Sequence, residues 1–179
     1  MIFPTTNALQ STAAILRSLA AKCAAVQWQG QPAFDRVEIF DVVDLRQMIA
    51  RLALNQPRFC ALIYAGDDFT AERRGLQLQV RSRHEVACLI GDRVIGDPVE
   101  AYMGSDTTPG AYELARLVAG AVTGEVLPHP DGCYCVPLRA EALVIEAEGA
   151  KLPGRSVMEL DLEITGGELH ASVGAGPVG

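Results

Sequence analysis

Basic side chains are the minority in this chain. Its 179 residues carry 15 Lys and Arg against 22 Asp and Glu, a formal net charge of −7. Gripping nucleic acid by charge neutralisation takes clustered cations, so tight nucleic-acid binding is not expected. Long apolar runs are missing as well. No window reaches the ~18 apolar residues of a membrane helix. The longest stretch, 8–26, is broken by Gln10, Ser11, Arg17, Ser18 and Lys22. Met1 to Thr6 shows no basic segment leading into an apolar one, so no signal peptide is expected. No Gly-Lys-Ser/Thr loop occurs, and the glycines at 166–167 and 174–176 open no helix, so no phosphate cradle is expected. No Gly-x-Ser-x-Gly elbow precedes a helix, which argues against a catalytic triad among Ser and the three histidines, His84, His129 and His170.

What is present is a half-apolar, evenly mixed chain. Apolar residues make up 49% and charged residues 21%, which excludes a disordered chain. The length suits one domain, which at this size buries roughly 70% of its unfolded surface. The five cysteines are an odd number scattered through apolar segments. They suit reduced thiols in a bacterial-type cytoplasm better than a secreted disulfide framework.

Periodicity supplies the elements. Leu9, Ile15, Leu16, Leu19, Cys23 and Val26 share one arc of a helix over about 7–26. A short extended piece, 37–40, leads to a second helix over about 42–54, with Leu45, Met48, Ile49 and Leu52 as its stripe. The run 59–65 is short and almost wholly apolar, as in a strand covered on both faces. Residues 66–75, with two glycines and five charged side chains among them, read as a polar loop. Residues 76–91 read as one strand with an irregularity near Ser82–His84, or as two strands. The glycine-rich stretch 91–108 reads as a loop. A third helix is expected over 109–123, opened by Pro109 and closed by a left-handed Gly124. A strand region with a phase change near Ala140 covers 133–148. Met158, Leu160, Leu162 and Ile164 alternate with acidic residues in the cleanest strand pattern of the chain.

The expected order is α-β-α-β-β-α-β-β. That is a single α+β domain over 1–165, its largely antiparallel sheet flanked by about three helices. Residues 166–179 are expected to be a mobile Gly-rich tail, with at most a weak strand at 168–173.

Four groups of residues carry possible chemistry. His129, Cys133 and Cys135, with Asp131, place thiol and imidazole ligands within seven residues, a candidate zinc set. The spacing is not that of a zinc knuckle. On a strand Cys133 and Cys135 point to one face, so the plainer reading is buried free thiols. The acidic pairs Asp67–Asp68 and Glu146/Glu148 are of the kind usually solvated. Arg73–Arg74 and Arg81/Arg83 are the basic clusters. The acidic face Glu159, Asp161, Glu163 should meet solvent or another subunit.

The layout resembles the tail terminator (tail completion) proteins of long-tailed phages, the group of lambda minor tail protein U-like and Mu-like tail proteins. An amphipathic N-terminal helix comes first. The apolar strand Arg58-Phe-Cys-Ala-Leu-Ile-Tyr-Ala65 is followed by an acidic turn, then His84-Glu-Val-Ala-Cys-Leu-Ile90, then the Pro-initiated helix 109–118, and late strands ending at Leu160-Asp-Leu-Glu-Ile164. The pattern spans most of 7–165 and contains no diagnostic short motif. The resemblance implies a non-enzymatic protein without cofactor or catalytic residues. It implies self-association, as a hexameric ring on the tail tube, with head-completion proteins as further partners. It places the protein in the bacterial cytoplasm during assembly and in the virion tail afterwards. Candidate contact residues are then Asp67, Asp68, Arg73, Arg74, Glu159, Asp161 and Glu163. Such a ring is acidic, and an acidic lumen lets DNA pass without holding it. The alternatives are a small metal-binding protein using His129, Cys133 and Cys135, and a ligand-binding domain or enzyme with a pocket between sheet and helices.

Overall fold

The computed structural model describes residues 12–40, 58–74, 77–93, 98–127, 133–143, 146–147, 150–151 and 155–172. The architecture is α+β. Helix α1 (Thr12–Ala24) turns Ile15, Leu16, Leu19 and Cys23 inward, the stripe that its periodicity predicts. Its last turn carries Lys22, which favours the negative end of the helix dipole. A two-residue turn with positive φ at Gln29 and Gly30 then joins β1 (Gln27–Trp28) to β2 (Gln31–Pro32).

Six strands form the main sheet: β3 (Arg36–Phe40), β4 (Arg58–Arg74), β5 (Gln77–Arg93), β6 (Gly124–Leu127), β7 (Cys133–Leu143) and β10 (Arg155–Ser172). Their spatial order is β3-β4-β5-β10-β7-β6. All neighbours are antiparallel except β3 and β4. Parallel neighbours need a crossover connection. The helix expected over 42–54 falls in that connection and lies outside the described residues. β8 (Glu146–Ala147) and β9 (Ala150–Lys151) make a separate two-stranded ladder.

One face of the sheet carries the main core. Cys60 and Leu62 of β4, Val86, Cys88 and Ile90 of β5, and Met158, Leu160, Leu162 and Ile164 of β10 meet the stripes of α1 and of α3 (Gly110–Val122). Helix α3 contributes Ala111, Leu114, Ala115, Val118 and Val122. On the opposite face a smaller cluster gathers Phe59, Ala61, Ile63, Leu89 and Val157. The continuous apolar run 59–65 is thus buried on both faces, as its composition predicts.

Several readings change. The stretch 66–75 is not a loop: β4 continues to Arg74, paired to β5 from Asp67↔His84 to Arg74↔Gln77. Its charged side chains project from an arm with little core to bury, so no period-two pattern marks it. Of the expected 76–91, the described residues 77–91 belong to one strand, and the irregularities sit in its neighbours, at Tyr64/Gly66 of β4 and Thr165/Glu168 of β10. The stretch 91–108 is not all loop: it ends β5 and contains the short helix α2 (Pro98–Met103). The strand expected over 133–148 stops at Leu143. Its phase change is a bulge at Leu138, between the pairs Asp161↔Arg139 and Leu162↔Pro137. Strand β10 runs on to Ser172, including most of the weak strand read at 168–173. Helix α3 has Pro109 as N-cap with no side-chain cap bond, whereas a Ser/Thr/Asp cap is the usual solution. Gly124 takes the expected positive φ, one residue after the C-cap Thr123. No described helix is long and apolar enough to cross a membrane.

Candidate functional site

Strand β5 organises the inner face. Alternation points Ile90, Cys88, Val86, His84 and Ser82 to the same side. The upper residues meet the helices. The lower two form a buried polar chain.

His84 is hydrogen-bonded through Nδ1 to Asp67 Oδ1, its direct cross-strand neighbour on β4. With the proton on Nδ1, Nε2 accepts from the Ser82 hydroxyl at 3.4 Å. Asp67 also accepts from the Tyr64 phenol, whose pKa is pushed up to about 12, first by burial and then by that carboxylate. The order carboxylate, imidazole, hydroxyl is that of an acyl-transfer triad. Ser82, however, is only 3% exposed, which leaves its oxygen no room to meet a substrate carbonyl. The chain as it stands ties β4 to β5 where the apolar core runs out.

Above it three thiols converge. Cys23 comes from the last turn of α1, Cys60 from β4 and Cys88 from β5, and their sulfurs all lie within 4.8 Å of one another. Cys60 and Cys88 are 3.3 Å apart. Hydrogen bonds from Cys60 and Cys88 hold the Cys23 sulfur down, and burial opposes them. The same contacts with Cys23 drive Cys60 and Cys88 up, and burial adds to this.

Of the predicted zinc set, only the two cysteines lie among the described residues. Cys133 and Cys135 are buried on the inner face of β7, as their spacing predicts. Burial pushes them up to about 11 and about 12. His129 lies outside the described residues, as does Asp131. The plainer reading of Cys133 and Cys135, buried free thiols, matches the structure, while the three-thiol cluster has no local sequence signal. The converging three come from separate segments, and only the pairing of β4 with β5 and the docking of α1 bring them together.

The expected contact residues divide. Asp67 turns inward to His84. Asp68 and Glu163 stay outside, gathered by Arg83 at 3.9 and 3.3 Å. Arg83 also meets Glu85 at 3.1 Å, and Arg139 pairs with Glu141. Arg73 is exposed on the β4 arm, and the Arg74 backbone ends that strand. Glu159, Asp161 and Glu163 lie in a row on the outer face of β10, half-buried. Glu159 is raised above the usual carboxylate range, first by burial, then by Asp161 and Glu141.

That shift has a sign. A carboxyl raised in the fold is penalised when ionised, so its cost is present at neutral pH and vanishes below the unfolded-state value. Glu159→Gln is expected to raise the urea midpoint modestly at pH 7. Repeated titrations at falling pH should show the gap closing once the carboxyl is protonated in both states. A gap that persists in acid would assign the effect to something other than charge.

A cleft of about 320 Å³ opens beside the β1–β2 turn, lined by Trp28, Gln31, Arg58, Asp92, Thr108 and Pro109. Arg58 is anchored there by Asp35, whose carboxylate also accepts from the Arg58 backbone N–H at 3.0 Å.

The open ground of the molecule is the far edge of the sheet. β6 covers β7 only from Cys133 to Cys135. From Val136 to Leu143 no described strand pairs with β7 on that side. Tyr134, Val136 and Leu138 beside that edge are 52%, 48% and 56% exposed. A scan against protein-family models finds no match for this chain, and a search of curated proteins finds none either.

Proposed function

We propose that the chain is a non-enzymatic structural protein of a phage or prophage tail, a tail terminator (completion) protein whose copies close into a ring on the tail tube. One observation carries the self-association: the edge of β7 from Val136 on, which no described strand pairs, with Val136 and Leu138 exposed on it beside Tyr134. Monomeric proteins blunt such an edge with lysine, proline or a covering element, because bare backbone and apolar side chains invite pairing. Here Pro137, the Leu138 bulge and the Arg139–Glu141 pair interrupt the edge, while Val136 and Leu138 beside them stay apolar and exposed.

The opposite end of the sheet is β3, only five residues long, with Ile39 exposed. Two unlike edges at opposite ends of one sheet favour head-to-tail contacts, and such contacts generate rings when the rotation closes. The layout of the chain, similar to that of tail terminators, supplies the setting: a ring, expected to be a hexamer, between tail tube and head-completion proteins. Its repeated net charge of −7 suits a passage for DNA.

Light scattering tests this at millimolar protein. The wild type is expected to give the mass of a closed oligomer. Val136→Lys is expected to give a monomer with an unchanged circular dichroism spectrum, because a lysine on the edge must be desolvated for a neighbouring copy to pair there. A wild type that stays monomeric and has no affinity for tail tubes overturns the reading.

A further inference from the structure

We infer that Cys23, Cys60 and Cys88 form a closed three-thiolate site for one soft d10 metal ion, Cu(I) or Zn(II), that staples helix α1 to the sheet. The inference is independent of the tail reading.

Geometry carries it. The three sulfurs sit on three different elements, with side chains 0%, 1% and 0% exposed. Their mutual spacing is at most 4.8 Å, and the Cys60–Cys88 pair stands at 3.3 Å. Three sulfurs at a metal–sulfur distance of about 2.3 Å stand roughly 4 Å apart. The observed spacings bracket that value, so ligation takes shifts of tenths of an ångström in side chains already pointing at one centre. In the pairing of β4 with β5, Cys60 stands opposite Ile90 and Cys88 opposite Leu62. The two thiols are thus diagonal neighbours on one face, and Cys23 descends on them from α1.

Three buried thiols used only as apolar filler need not share one centre. A donor set made of sulfur alone selects soft ions over Mg(II) or Ca(II). The pocket is apolar and sealed by Leu19, Leu62 and Val86 among its neighbours in the core. Cu(I) is satisfied by three thiolates. Zn(II) asks for a fourth ligand beyond these three, so Cu(I) is the better match to the group. Each metal–sulfur bond replaces an S–H bond, and the proton leaves to the buffer. The metal keeps its oxidation state, so no electron is transferred. Entry requires α1 to lift, since Cys23 closes the site from above.

The test is metal titration of the full chain, reduced and handled without oxygen. Cu(I) is delivered from a chromophoric chelator, and Zn(II) in a parallel series. The expected result is one ion per chain, a thiolate-to-metal charge-transfer band and a raised thermal midpoint. Cys60→Ala and Cys88→Ala should each weaken binding at least tenfold, with circular dichroism confirming that the variants fold. Cys133→Ser should leave it unchanged. Cys135→Ser should leave Cu(I) binding unchanged as well. X-ray absorption should count three sulfurs around copper. Failure to bind either ion stoichiometrically overturns the inference. So does binding that survives both alanine variants, which would return the metal to Cys133 and Cys135. Should folding fail in one variant, the other and the sulfur count still decide. Oligomer mass is read separately, so the ring and the metal stand or fall apart.

Discussion

Leu160→Ala is expected to lower the stability of the fold by about 3 kcal/mol, within the 2–5 kcal/mol typical of such truncations. Leu160 sits on β10 at the middle of the sheet, paired to Cys88 of β5 on one side and Ala140 of β7 on the other. It is 2% exposed and belongs to the cluster that α1 and α3 cover. Its removal takes away the transfer free energy of three carbon atoms. It also leaves a cavity that hydrogen-bonded strands on both sides prevent from collapsing. For a chain of this size that is a fall of roughly 6–12 °C in thermal midpoint. Leu138→Ala, the same truncation at an exposed site, should change stability by less than about 0.5 kcal/mol. Urea titrations of the two variants check the contrast. Equal losses would mean that the inner face of β10 is not the centre of the core.

Gly110→Ala should cost more than about 2 kcal/mol, although alanine is the better helix former in general. Gly110 has a φ of +68°, where a side chain is strained, and an added Cβ would stand 2.3 Å from the backbone nitrogen of Gly104. Gly104 mirrors the problem: its φ is +81°, and its own added Cβ would stand 2.2 Å from the Pro109 carbonyl oxygen. The end of α2 and the start of α3 therefore touch backbone to backbone. Neither side holds a flexible group that can give way. The turn between them is held by Ser105 N–H donating to Thr108 O at 2.7 Å. Gly120→Ala is the matched control. That glycine lies inside α3 with nothing within 4 Å of an added Cβ, so the same change should stabilise by about 0.5–1 kcal/mol. Opposite signs from one substitution, read by thermal denaturation, are the expected result.

These two sites show what a linear reading of the chain can reach. The alternation 158–164 is legible because one face of β10 is buried, and burial writes period two into the residues. The stripe of α3 is legible for the same reason at period 3.6. The β4 arm is not legible. Asp67, Asp68, Glu72 and Arg73 sit on a strand held by backbone pairing, and no buried face selects its side chains beyond His84. Gly66-Asp67-Asp68 therefore reads as a turn when it is paired strand just past a bulge at Ala65. The touching glycines need φ, which no periodicity records. The thiol cluster needs tertiary structure: Cys60 and Cys88 are 28 residues apart, and Cys23 lies on a different layer. The unpaired edge of β7 depends equally on knowing that β6 is short.

Strand order has one more consequence. β10, which begins at residue 155 of 179, lies between β5 and β7. Without it the sheet is two fragments, β3-β4-β5 and β7-β6, with no shared hydrogen bonds. A ribosome making this chain holds both fragments apart until β10 has emerged. The inner edges of β5 and β7 stay bare through that time, and closure comes in one event when β10 inserts. The most aggregation-prone interval of this sheet precedes that insertion, when the neighbours on a polysome are further unfinished copies of the same chain.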